Sequence, residues 1–171
     1  MACPYFVPRE IVYDIAWPHP TRLPLGAGWT GSCCAHNEPG PTSSSSTGSS
    51  SNEVSVRLDD AFIRDFCNLG YATTCPHLPS SRDWDAIRFS VASTTPNQIT
   101  LCYICEFAHA PKAHGTLTYD LAAEAWHSAS DAASESTNDA RVRRLANSYL
   151  HAYRARQSGA PAEQSWPSDH E

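Results

Sequence analysis

Seven cysteines in a chain of 171 residues are the side chains with the most chemistry to offer. An odd count, in a sequence that shows no export signal, argues against a disulfide framework and for reduced thiols. Reduced thiols either ligate a metal or pack as small hydrophobic groups. Five of them, Cys3, the adjacent pair Cys33 and Cys34, Cys67 and Cys75, stand beside turns or helix ends rather than inside apolar stripes, and such positions can converge. Four thiolates drawn from these places satisfy either a [4Fe–4S] cluster or a structural zinc ion. The expected ligands are Cys3, Cys33, Cys67 and Cys75, with Cys34 able to substitute for Cys33.

Spacing favours the cluster. Structural zinc is mostly held by short C-x2-4-C knuckles, whereas seven residues separate Cys67 from Cys75, the nearest pair in the set apart from the adjacent cysteines. Cys3 and Cys75 are each followed by proline, which withholds a backbone N–H and stiffens the chain beside the sulfur. A ligand cysteine before proline also occurs in the bacterial ferredoxin pattern, but the C-x2-C-x2-C run of that pattern is missing, so a cluster here would be assembled from dispersed segments. Gly26, Gly28 and Gly31 precede the cysteine pair and are expected to let backbone N–H groups approach an anionic centre.

Two rival sites are weaker. Cys102, Cys105, His109 and His114 read C-x2-C-x3-H-x4-H, ligand types suited to zinc. Their first half lies in a run that alternates like a strand, and residues three apart in a strand point to opposite faces. Cys105, Glu106 and His109 supply a thiol, an acid and a base, yet no helix N-terminus or nearby cation lowers the thiol pKa. No catalytic residue is expected on this basis.

The elements that must position the cysteines are of two kinds. Residues 1–39 carry six prolines and three glycines among large apolar side chains, so the segment is expected to be irregular and to need a staple, which a metal centre would provide. Leu58, Ala61, Phe62, Asp65, Phe66 and Leu69 fall at helical spacing, with Asp59 and Asp60 at the positive end and Gly70 as terminator, predicting a short helix ending at Cys67. Ile87, Phe89 and Val91, then Ile99, Leu101, Tyr103, Cys105 and Phe107, alternate on either side of TTPNQ and predict a hairpin. Leu117, Tyr119 and Leu121 predict a third strand after a break from Pro111 to Gly115. An apolar stripe from Val142 to Tyr153 predicts a helix over residues 139–156.

The expected fold class is therefore α+β: a small three-stranded antiparallel meander with covering helices and an irregular Pro/Gly-rich N-terminal segment. One domain is expected over residues 1–157, with a flexible serine-rich insertion at 40–52, a weak linker at 128–138 and a disordered tail at 158–171.

A formal charge of −6 and a pI of 5.7 give no electrostatic reason to seek nucleic acid or anionic lipid. Arg141, Arg143, Arg144, Arg154 and Arg156 form a local basic cluster, expected to be a solvated helix face. No apolar run reaches the ~20 residues of a membrane helix, and the chain reads as cytoplasmic. The function expected is that of a metal-binding protein holding a [4Fe–4S] cluster for electron transfer or redox sensing, with a redox or regulatory protein partner. The alternatives are a structural zinc protein and a protein-interaction module with reduced, buried cysteines.

Overall fold

The computed structural model describes residues 1–13, 17, 23–35, 58–69, 72–127 and 139–158. The serine-rich insertion, the 128–138 linker, Gly70 and the tail beyond Ser158 lie outside the described residues.

Two antiparallel sheets and a long helix make the fold α+β. Strands β1 (Phe6–Ile11) and β2 (Trp29–Cys33) pair as a two-stranded ribbon, and β3 (Ala86–Thr94), β4 (Gln98–Phe107), β5 (Ala110–Asp120) and β6 (Ala125–Trp126) form a meander in sequence order. The expected three-stranded meander is thus corrected to four strands, with β6 added by the pairs Tyr119–Trp126 and Asp120–Ala125. A two-residue strand carries too little periodicity to be read from sequence.

The N-terminal segment is less irregular than its prolines imply. Pro8 sits within β1 opposite Gly31, and the register shifts between Pro8 and Ile11. Both strands of a two-stranded ribbon are edges, where a proline deprives no central ladder of a donor. The expected break at Pro111–Gly115 is also absent: β5 begins at Ala110 and runs straight through, with Pro111 at a register shift and Gly115 opposite Tyr103. The chain reverses earlier, at Ala108 and His109, whose φ values of 47° and 65° make a left-handed two-residue turn. Neither residue is glycine. The buried carboxylate of Asp85 holds this turn by accepting from Ala108 N–H at 2.6 Å, while the Arg82 guanidinium binds its other oxygen.

Helix α1 (Asp60–Phe62) is capped by Asp59, whose side chain accepts from Ala61 N–H at 2.9 Å, and it continues as a π-helix over Ile63–Asn68. The helical segment therefore ends one residue beyond Cys67. The wider π turn, closed by Leu69 N–H donating to the Arg64 carbonyl at 3.0 Å, brings Ile63, Cys67 and Asn68 all to the buried side. A short 3-10 turn follows at Ala72–Thr74. Helix α2 (Ala140–Gln157), capped by Asp139, buries Val142, Leu145, Ala146, Ser148, Leu150 and Ala152. Its stripe packs with Tyr5, Phe6, Ile87, Leu101, Tyr103 and Cys105 into one core. Complete burial of a side chain such as Leu145 stabilises by about 1.5–3 kcal/mol. Among the described residues, no helix is long and apolar enough to cross a membrane.

Candidate functional site

Each of the four expected ligands is delivered by a different piece of backbone, and each piece is tied down. Cys3 follows Ala2, which makes a two-bond bridge to Ile87 in β3: Ala2 N–H donates to the Ile87 carbonyl at 2.9 Å, and Ile87 N–H donates back at 2.8 Å. Cys33 ends β2, in register with Phe6. Cys67 lies on the buried side of the π-helix. Cys75 follows the 3-10 turn.

The two Cys-Pro units adopt the same device. Phe6 N–H donates to the Cys3 carbonyl at 3.1 Å, and Leu78 N–H donates to the Cys75 carbonyl at 3.2 Å. Each unit is therefore a four-residue turn with cysteine first and proline second, the place where the fixed φ of proline suits a reversal.

These segments bring the four thiols near enough for charge on one to bear on another, without grouping them as the ligands of a metal ion. A negative charge on Cys67, Cys33 or Cys75 would raise the pKa of Cys3; Cys34 and then Cys75 act likewise on Cys33; and Cys33 and Cys75 act on Cys67. Every pair among the four is thus coupled. Cys3, Cys33 and Cys67 are buried and Cys75 is half-buried. Burial is the largest influence: it pushes the Cys67 thiol up to about 12 and holds Cys3 and Cys33 above their ordinary value. Two backbone amides work the other way. Ala35 N–H donates to Cys33 Sγ at 3.5 Å, and Tyr5 N–H donates to the sulfur of Cys3, so in both cases the amide two residues on faces the sulfur. Such donors favour a thiolate over a thiol.

Among the described residues, no three or more His, Cys, Asp or Glu side chains are grouped so that they could hold a metal ion. One tetrahedral zinc, with Zn–S bonds of about 2.3 Å, would need its sulfurs roughly 3.8 Å apart. A cluster spreads four thiolates over four irons and takes a wider set.

Cys34 is engaged elsewhere. Its Sγ donates to the Tyr5 carbonyl at 3.2 Å and accepts from an Arg144 amine at 3.5 Å, on the side of α2. The same guanidinium donates to the Pro4 carbonyl at 3.2 Å. Arg144 thereby joins the residues that immediately follow Cys3 and Cys33. Arg141 lies over the rings of Trp84 and Tyr5, at 4.7 and 5.7 Å from their centroids, and pairs with Asp139 at 2.8 Å. The expected solvated arginine face is corrected accordingly for these two residues, since their guanidinium planes fill polar gaps between α2 and the N-terminal segment.

The glycines also play a different part. A Cβ on Gly28 would lie 2.0 Å from the Trp17 ring, and one on Gly31 would lie 2.3 Å from the Val7 carbonyl oxygen. Close packing requires glycine at both positions, independently of any anionic centre. The Gly26 carbonyl is taken by the Arg156 guanidinium.

Cys102 and Cys105 fall on opposite faces of β4, Cys105 in the core and Cys102 half-buried on the other side. His109 is in the β4–β5 turn and His114 is exposed on β5. Burial pushes the Cys105 thiol up to about 12, away from nucleophilic use. Asn68 and Arg144, which tie the cysteine-bearing segments together, carried no sequence signal beyond an amide at a helix end and one arginine among several. No family model, curated protein or solved structure matches the chain.

Proposed function

We propose that Cys3, Cys33, Cys67 and Cys75 hold a [4Fe–4S] cluster, and that the protein serves one-electron transfer or redox sensing in the cytoplasm, with a redox or regulatory protein as partner. The support for the reading is that four segments distant in sequence bring their thiols near one another, three of them buried and Cys75 half-buried. Three further features support it. The two Cys-Pro turns share one geometry. Backbone amides face the sulfurs of Cys3 and Cys33. Cys67 sits on a π-helix, a distortion frequent at functional sites. The long sequence spacing of the four cysteines, without a C-x2-4-C knuckle, favours a cluster over one structural zinc.

A second reading, an interaction module whose reduced cysteines merely pack, is favoured by one observation. Cys3, Cys33 and Cys67 belong to the continuous apolar core, where burial keeps a thiol protonated.

Anaerobic purification separates the readings. The cluster predicts a brown protein with about four irons and four sulfides per chain. Serine at Cys3, Cys33, Cys67 or Cys75 then removes most of the iron and the visible absorption, while serine at Cys34, Cys102 or Cys105 retains both. Colourless protein with one zinc per chain indicates structural metal, and colourless metal-free protein indicates the module.

A further inference from the structure

The Ala2–Ile87 bridge fills only the first rung on the outer edge of β3. Both of its bonds engage the backbone of Ile87, whose N–H and carbonyl therefore point away from β4. Backbone groups alternate in direction along a strand, so those of Phe89 and Val91 point to the same outer edge. Among the described residues they meet no partner there, because β3 is the last strand of its sheet. The usual protection of such an edge is thin. From Phe89 to Thr94 the sequence FSVAST holds no proline and no charge, and the ladder stays in register until the shift between Val91 and Ser93.

An open cavity of about 440 Å³ lies beside this edge. Leu23, Pro24, Phe89 and Tyr149 give it an apolar lining, with the Phe89 and Tyr149 rings stacked at 5.7 Å, and Arg88 and Arg156 give it charge. No carboxylate lines it. Arg88 is paired with Glu106 at 2.8 Å, whereas Arg156 is held by the neutral Gly26 carbonyl, so among the described residues its positive charge is uncompensated.

We propose that the outer edge of β3 at Phe89 and Val91 takes up an extended acidic segment of a partner protein, which pairs as an added strand and places a carboxylate in the Arg156 cavity. Main-chain hydrogen bonds at a free edge supply the affinity of such pairing, and a pocket beside the edge selects the side chain. The residue opposite Phe89 sends its side chain to the same face as Phe89, where Tyr149 and Arg156 lie. An acidic side chain there meets the uncompensated guanidinium. A second copy of this chain suits the edge less well, because pairing β3 with itself about Phe89 brings like guanidiniums onto one patch. The proposal requires no metal at the cysteines.

The test is fluorescence anisotropy of the full chain with the probe fluorescein-Gly-Thr-Val-Glu-Val-Thr-amide. Saturable binding is expected, weakened at least about fivefold when the glutamate of the probe is replaced by glutamine and abolished when its three central residues are N-methylated, a change that removes backbone donors and keeps the charge. Arg156→Gln, at an exposed position, weakens binding of the acidic probe by a similar factor, whereas Lys112→Gln, the same loss of charge on β5, leaves it within about twofold. Equal binding of the N-methylated probe overturns strand addition. Equal binding of the glutamine probe, or of the acidic probe by Arg156→Gln, overturns the cavity as the acid's site. No binding of the acidic probe at millimolar protein overturns the proposal outright, and so does sedimentation of the free protein as a dimer that excludes the probe, which assigns the edge to a second copy.

Discussion

The side-chain amide of Asn68 pairs with both backbone groups of Trp29: its Oδ1 accepts from Trp29 N–H at 2.9 Å and its Nδ2 donates to the Trp29 carbonyl at 2.9 Å. A third bond, from Nδ2 to the Ile63 carbonyl at 3.3 Å, anchors the same amide to its own π-helix. All of this is buried. Asn68 follows Cys67 directly, and Trp29 opens the strand that ends in Cys33, so one side chain sets the distance between two proposed ligands.

Replacing Asn68 by Leu keeps the branched heavy-atom shape in a somewhat larger side chain and leaves two buried groups of Trp29 without that partner. The expected cost is about 2–4 kcal/mol, the penalty of unsatisfied buried polar groups. A lowered urea midpoint in the metal-free protein checks the packing role. Reduced iron content after anaerobic reconstitution checks the positioning role. An unchanged midpoint would show that the Asn68–Trp29 pair contributes nothing to the fold.

Neighbouring thiols should behave differently. Cys33→Ala removes a proposed ligand and is expected to lose most of the iron. Cys34→Ala removes a hydrogen bond to the Tyr5 carbonyl and a contact with Arg144, costing about 1 kcal/mol while iron content stays near wild type. Iron analysis of the two variants side by side distinguishes them, and equal loss in both would remove Cys33 from its assigned role.

The thiols also set a pH dependence whose sign depends on metal. Without metal, Cys3, Cys33, Cys67 and Cys105 have folded-state pKa values raised by burial, the last two of this set to about 12, above the ordinary 9.0. Their contribution to stability is fully present below pH 9. It is lost as pH rises toward 12, because unfolded thiols ionise first and folded ones resist. The urea midpoint of the metal-free protein should therefore fall between pH 8.5 and 10.5, and less steeply in Cys105→Ala. With a cluster bound, the ligands are already thiolates, and acid rather than alkali should release the metal, read as bleaching of the visible absorption.

Gly31→Ala tests the ribbon that carries Cys33. The added methyl would meet the Val7 carbonyl oxygen at 2.3 Å, and that oxygen belongs to backbone paired across β1 and β2. The strands must separate, at an expected cost of about 1–3 kcal/mol. Faster proteolytic cutting within residues 1–35, compared with wild type, reports the loosened ribbon; an unchanged cleavage rate would mean that the strands accommodate the methyl.

Much of the fold was legible because it is written in local periodicity. Apolar alternation from Ile87 to Phe107 marks β3 and β4 with their turn, since a two-sided strand must repeat every second residue. The stripe from Val142 to Tyr153 marks α2, which the structure extends by one residue to Gln157 relative to the expected end at 156. The proline after Cys3 and after Cys75 marked both turns, because the fixed φ of proline acts on its immediate neighbours alone. The ribbon of β1 and β2 was hidden, since Pro8 and Gly31 obey edge-strand rules that look from sequence like disorder of pattern. The β4–β5 turn was hidden as well: Ala108 and His109 are no turn formers, and their left-handed backbone is held by Asp85, more than twenty residues away in sequence.

The candidate site divides along the same line. Amino-acid type and count alone nominate reduced thiols as the chemistry, and the positions beside turns nominate Cys3, Cys33 or Cys34, Cys67 and Cys75. Sequence does not distinguish the two adjacent cysteines, because consecutive side chains in extended backbone point to opposite sides and packing against α2 bears on which side is which. Cys34 Sγ meets the Tyr5 carbonyl and the Arg144 guanidinium, while Ala35 N–H donates to Cys33 Sγ. The Ala2–Ile87 bridge and the Asn68–Trp29 pair then close chain separations of 85 and 39 residues, contacts between groups that no local pattern relates. Sequence specifies the thiols through short-range preferences; the segments that carry them are held together by long-range hydrogen bonds and by the core that offsets the entropy of ordering them.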